Sequence, residues 1–234
     1  MSDSARPCIS GNLYINGQWT GTETSITNVS PSDTADVIGH FAQASLEHVS
    51  DAIAAANHAV GDWGRSPMET RYSVLMAIGN ELIERSRELG ELLAREEGKT
   101  HAEGIGEVYR SGQFFHYFAG EVHRQIDDRT DSVRPGIEVD TRREPVGVVA
   151  VISPWNFPMA TAVWKIAPAL AFGNSVVFKP ANLVPASAWA LTEIISRQSA
   201  LPAGTFNLVM GSGSTVGDAI INSDKIHAVS FTGS

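Results

Sequence analysis

Cysteine is almost missing from this chain of 234 residues, where Cys8 is the single example. A disulfide needs two thiols and a structural zinc site needs a cluster of ligands, so neither device and no metal site is expected, and a reducing, cytoplasmic setting fits. Long apolar runs are missing too. The opening "MSDSARPCIS" has no signal-peptide core, and no later run reaches membrane-spanning length, so no membrane partner is expected. Positive charge is scarce: 17 Lys and Arg face 26 Asp and Glu, a net charge of −9 with no clustered basic face, which argues against nucleic acid as a partner. What is present is ordinary globular composition, 43% hydrophobic and 18% charged, enough for a sizeable core and a small-molecule ligand.

Two extended stretches, "LYINGQW" and "TSITNVSP", come first, and three helical patterns follow. Leu46, Val49, Ile53, Ala56 and Val60 recur at the helical period. Ser66 and Glu69 bracket Pro67 as a capping box, which predicts one helix running past Leu75, Leu82 and Leu92 to Gly98. In the third pattern Ile105, Val108, Gly112, Phe115, Ala119 and Val122 share a stripe. Residues 125–143 are charged, with Pro135-Gly136 as a turn, and predict a hairpin that is polar on both faces and must lean on another surface. From Gly147 short valine-rich strands alternate with helix-length segments. That pattern predicts a doubly wound α/β unit around a parallel sheet.

In such sheets ligands lie beyond the carboxyl ends of the strands, so "SPWNFP", "KPAN", "GSGSTVG" and "TGS" are the segments to inspect. Gly211, Gly213 and Gly217 are spaced one residue too widely for the dinucleotide fingerprint and follow the third strand of the unit, so they read as a glycine-rich strand-to-helix turn. In "PWNFP" two prolines hold Asn156 in a rigid elbow, where its amide can donate to a carbonyl oxygen that is becoming negative. An asparagine in such a loop equally serves to close its own turn. Lys179 closes the second strand, either as a donor to ribose or phosphate or as a plain lysine in water. Trp164 and Lys165, on the following helix, read equally as a core tryptophan and a solvated lysine.

Together "ISPWNFP", "WKIAPALAFGNSVVFKPA", "LPAGTFNLVMGSG" and "AVSFTGS" resemble the cofactor-binding half of the aldehyde dehydrogenase superfamily. "YINGQW", "EEGKT", "YFAGEV" and "REPVGVV" extend the likeness over nearly the whole chain. The resemblance implies a Rossmann-type doubly wound parallel sheet preceded by a helical segment, incomplete at its carboxyl end, with NAD or NADP as cofactor. It divides the chain into residues 1–124, the strands and helices that begin the cofactor domain; 125–145, an oligomerisation hairpin; and 146–234, the dinucleotide-binding sheet.

By the same resemblance Asn156 is the oxyanion donor and Lys165 belongs to a proton relay. Ile152, Ser153 and Trp155 lie against the cofactor, Lys179 and Asn182 hold its adenosine ribose, and Gly233 and Ser234 meet its pyrophosphate. Phe157, Ala160, Thr161 and Trp164 line the aldehyde tunnel. The family's cysteine attacks the aldehyde to give a thiohemiacetal, from which hydride leaves for the nicotinamide. That cysteine and the glutamate base are expected beyond Ser234, and Cys8 precedes every strand of the sheet, so the chain alone is expected to be inactive. Asn182 stands where the family often has glutamate, which implies use of both cofactors. "KPANLVP" is similar to the semialdehyde-oxidising branches, including 2-oxoglutarate semialdehyde dehydrogenases. The resemblance also implies a homo-oligomeric full-length enzyme, a dimer or tetramer. Two other readings remain open on sequence alone: a non-catalytic nucleotide-binding module left by truncation, and a related reductase of acyl phosphates or acyl-CoA thioesters.

Overall fold

A computed structural model describes residues 8–124 and 127–233. Strand β1 (Ile9–Gly11) runs parallel to β5 (Asp33–Ala42), which is antiparallel to β4 (Ser25–Ser30), and these make a small sheet in the order β1-β5-β4. Between them β2 (Leu13–Ile15) and β3 (Gln18–Thr20) form a hairpin whose turn residues Asn16 and Gly17 both have positive φ, at 50° and 78°. Asn-Gly is the pair such a two-residue turn favours.

Four helices follow: α1 (Leu46–Gly64), α2 (Met68–Glu84), α3 (Ser86–Glu97) and α4 (His101–Val122). The exposed hairpin of β6 (Asp128–Asp131) and β7 (Glu138–Thr141) comes next. The alternating half then gives β8 (Val148–Ile152), α5 (Ala160–Ala171), β9 (Ser175–Lys179), α6 (Pro185–Ser196), β10 (Phe206–Leu208), a wide turn over Gly213–Gly217, the short α7 (Asp218–Ile221) and β11 (Ala228–Phe231).

The large sheet has the order β11-β8-β9-β10-β2-β3, with β11, β8, β9 and β10 parallel. Connections between parallel strands are right-handed, so moving outward from β8 to β10 puts α5 and α6 on one face, and returning to β11 puts α7 on the other. The packing agrees: α1 touches α7 and the sheet, whereas α2, α3 and α4 stack on α5 and α6. Burial on both faces explains the valine-rich β8 and the fully buried β9. Trp63, Phe178 and Phe206 anchor this core, each large buried side chain contributing roughly 1.5–3 kcal/mol. Trp63 also satisfies its polar end, its Nε1 donating to the Leu170 carbonyl at 2.9 Å.

Several expectations are corrected. The capping box is not at Ser66 and Glu69: Ser66 Oγ donates to the Trp63 carbonyl, Pro67 is the helix cap, and no side chain caps α2. A box does form at Thr100 and Glu103, where it starts α4. The single long helix breaks at Arg85, whose guanidinium is drawn among Glu81, Glu88 and Glu193 at 2.9, 2.7 and 3.3 Å. Its second piece, α3, does end at Gly98, where a φ of 88° suits glycine. Leu46 is exposed, because the buried stripe of α1 begins at Val49 and runs through Ala52, Ile53, Ala56, Ala59 and Trp63. The early "LYINGQW" stretch also does more than precede the sheet: β2 adds antiparallel to β10 and extends it. The expected hairpin is present and exposed on both faces, turning at Gly136 with φ 76°; Gln125 and Ile126 of that segment lie outside the described residues.

Candidate active site

The strand order reverses between β8 and β11, and a cleft of about 830 Å³ opens beyond their carboxyl ends. A topological switch point is where the main chain diverges to leave room for a ligand. The cleft is walled by residues at or beyond the carboxyl ends of all four parallel strands: Ile152 and Ser153 at β8, Lys179 and Ala181 at β9, Gly213 and Gly217 beyond β10, and Thr232 and Gly233 beyond β11. Ser153 is buried there, and its hydroxyl has no partner. Lys179 is not a solvated strand end: it is 5% exposed, its Nζ donates to the Pro180 carbonyl at 3.0 Å, and burial pushes its pKa below the usual lysine value. At Gly233 an added Cβ would come within 3.0 Å of the Phe231 ring, so the bare backbone keeps that corner open.

The elbow forms the lip of this cleft. Trp155 and Asn156 are exposed on it, and Asn156 accepts at its backbone carbonyl from Lys99 Nζ at 3.3 Å. Lys99 pairs with Glu97 at 2.6 Å and Glu107 at 2.7 Å and lies 4.3 Å from the centre of the Phe157 ring. Burial alone would lower its pKa, but the hydrogen bonds and charges of the two glutamates together raise it. Lys165 is buried behind the elbow on α5, where its Nζ donates to Thr232 Oγ1 at 2.7 Å and to the Thr161 carbonyl at 3.3 Å. Burial pushes its pKa down, which eases release of a proton.

On the other side of the elbow two aromatic grooves run between α4 and α5. Phe157, Ala160 and Trp164 line one of them; Trp164 also lines the second, with its ring edge-on to Phe114 at 6.0 Å. Arg110 and Phe114 line both grooves. Trp164 is thus a half-exposed wall and not core. Thr161 is buried and lines neither groove. Asn182 stands just past the cleft-lining Ala181 and does not line the cleft itself; its Oδ1 is buried without a partner. Ser234 lies outside the described residues.

The aldehyde dehydrogenase family pattern matches residues 19–234. The chain belongs to the aldehyde dehydrogenase family. Alpha-ketoglutarate semialdehyde dehydrogenase of Haloferax volcanii is 38% identical over 225 residues, which cover 94% of this chain and 46% of that protein. Betaine aldehyde dehydrogenase from Staphylococcus aureus, solved in complex with NAD+, superposes with a TM-score of 0.90 at 34% identity over 94% of this chain and 44% of that one. NADP-dependent glyceraldehyde-3-phosphate dehydrogenase from Bacillus halodurans, complexed with NADP, gives 0.91 at 33% identity over 95% and 48%. This aldehyde dehydrogenase chain therefore spans about half the length of the relatives it matches.

Two features of this family member were not legible in the sequence. Gly213 and Gly217 line the cleft although their spacing misses the fingerprint; a strand end followed by a wide turn was the usable signal. Lys99, Glu107 and Arg110 reach the elbow and grooves from helices far earlier in the chain, which no local spacing reveals. Cys8 is exposed beside Arg95 of α3, and no cysteine among the described residues stands at the cleft.

Proposed function

We propose that this chain supplies the dinucleotide cleft and the oxyanion elbow of a longer NAD(P)-dependent enzyme that oxidises a semialdehyde to a carboxylic acid. The observation that carries this is the cleft at the β8–β11 switch point with Asn156 on its lip. The residues present fit NAD or NADP. Lys179 spends one donor on the Pro180 carbonyl and keeps others for ribose hydroxyls or phosphate, Ser153 lines the same space, and Gly213, Gly217 and Gly233 let a diphosphate approach the backbone. Asn182 brings no carboxylate to repel a 2′-phosphate, which supports use of both cofactors. When bound, the nicotinamide supplies the hydride acceptor.

The chain's own residues do the rest of the work assigned to them here. The Asn156 amide donates to the aldehyde oxygen as negative charge grows on it. Lys165, buried and hydrogen-bonded to Thr232, is assigned to proton relay. Phe157, Ala160 and Trp164 exclude water from the aldehyde's chain. Arg110 lines both grooves and makes no ion pair among the described residues, which suits an aldehyde carrying a distant carboxylate. The nucleophilic cysteine and the general base are assigned to the part of the enzyme this chain does not span. The hairpin β6–β7, exposed on both faces, is assigned to oligomerisation, and the lone cysteine supports a cytoplasmic setting.

The test is to assay the complete enzyme with carboxylated and neutral aldehydes against both cofactors, following nicotinamide absorbance. Oxidation of a semialdehyde, unchanged in Cys8→Ser, is expected. Binding of the cofactors with no aldehyde turnover would favour a nucleotide-binding module, and reduction of acyl phosphates alone would favour the reductase reading.

A further inference from the structure

An amide that must meet a developing oxyanion has to be held still, yet the Asn156 side chain is exposed and bonds no other described residue. What is held is its backbone. Lys99 Nζ donates to the Asn156 carbonyl at 3.3 Å and sits over the Phe157 ring, gripping the near end of segment 156–160. At the far end Glu107 Oε1 accepts from the Met159 and Ala160 amides at 3.0 Å each, which caps the start of α5. Its other oxygen, Oε2, accepts from Lys99 at 2.7 Å, so one ion pair closes the loop between the two grips. The Glu107 side chain is 2% exposed and that of Lys99 11%.

A helix start is ordinarily capped by a nearby Ser, Thr, Asp or Asn at little cost. Here the cap comes from another helix and carries a buried charge, which on stability grounds alone is a weak investment. Its return is geometric: both ends of the elbow are tied to the same rigid pair.

We propose that Lys99 and Glu107 are positioning residues for Asn156, clamping segment 156–160 so that its amide stays on the lip of the cleft. The clamp rests on the reading of Asn156 as oxyanion donor. Neither Lys99 nor Glu107 itself lines the cofactor cleft, so loss of the clamp should slow the chemical step and leave cofactor binding alone.

The experiment is a double-mutant cycle in the complete enzyme, with single-turnover rate and cofactor Kd as readouts. Asn156→Ala is expected to slow the step by about 100- to 1000-fold. Lys99→Met is expected to slow it by about 10- to 100-fold, the scale of a small misplacement of a catalytic group, with Kd unchanged and partial rescue in Lys99→Arg. In the Asn156→Ala background Lys99→Met should cost nothing further. Glu107→Gln, which keeps the shape and removes the charge, gives the same cycle should Lys99→Met fail to fold. Losses that add in the two backgrounds, or a fall in cofactor affinity matching the fall in rate, overturn the clamp while leaving Asn156 in place. An undiminished rate in Asn156→Ala removes the oxyanion reading and the clamp with it.

Discussion

The cleft and the aromatic grooves lie on either side of one elbow and are built from different materials. The cleft is made where main chain parts company: strand ends, glycines, one buried lysine and a buried serine. The grooves are made of side chains, with Phe114, Phe157 and Trp164 presenting their rings, Arg110 a guanidinium that makes no ion pair among the described residues, and Glu103 and Glu107 carboxylates bonded to Thr100 and Lys99. A wall of main chain is set by the topology of the sheet. A wall of side chains can be rebuilt by substitution without disturbing the fold. On the proposed function the cleft is the part for the cofactor and the grooves the part for the aldehyde.

The largest effect should appear at the boundary. Asn156→Ala in the complete enzyme should lower the single-turnover rate by about 100- to 1000-fold, roughly 3–4 kcal/mol, with cofactor Kd unmoved. Loss of cofactor affinity at an unchanged rate would assign Asn156 to the cleft as a turn residue. Next, Arg110→Gln should raise KM for a carboxylated aldehyde by about 10- to 100-fold and leave a neutral aldehyde of equal length unaffected, since a charge-assisted pair contributes about 1.5–3 kcal/mol. Equal losses on both substrates would make Arg110 structural. On the cleft side Lys179→Met should weaken cofactor binding by about tenfold, or about 1.4 kcal/mol, and spare the rate at saturating cofactor; calorimetric titration reads it.

The remaining effect bears on stability and not on the reaction: a pH dependence at the start of α6. Glu96 is fully buried and accepts from the Ala186 and Ser187 amides and the Ser187 hydroxyl at the start of α6. Burial pushes its pKa up to about 7, against the lowering effect of those three hydrogen bonds. A folded value raised above 4.5 means that its contribution to stability is whole below that pH and is lost as pH rises through about 7. The thermal midpoint should therefore fall between about pH 5 and pH 8, and a midpoint that rises across this window would show that the hydrogen bonds win.

How far the sequence could be read follows the same division. The alternating strands and helices were legible because burial on both faces leaves continuous valine-rich runs, and Ile152, Ser153, Lys179 and Gly233 fall at the cleft because strand ends are local features. The break at Arg85 was not legible, since Glu193, one of the acids that hold it, lies 108 residues away. Nor was the antiparallel pairing of β2 with β10, which depends on Leu208 meeting Tyr14 across the fold. Lys99 and Glu107 escaped notice because their meaning lies in the elbow they reach and not in their own helices. Thr161 was drawn to the tunnel by its neighbours in sequence, but on α5 it is buried and lines neither groove.

The central claim is that the β8–β11 switch point binds the dinucleotide while the grooves do not. Backbone amide NMR of the isotopically labelled chain, titrated with NAD+ and then NADP+, tests it most directly. Shifts concentrated at Ser153, Lys179, Gly213, Gly217 and Gly233, with Arg110, Phe114 and the hairpin unmoved, are the predicted result. Shifts centred on the groove between α4 and α5, or none at saturating cofactor in a folded chain, would contradict it.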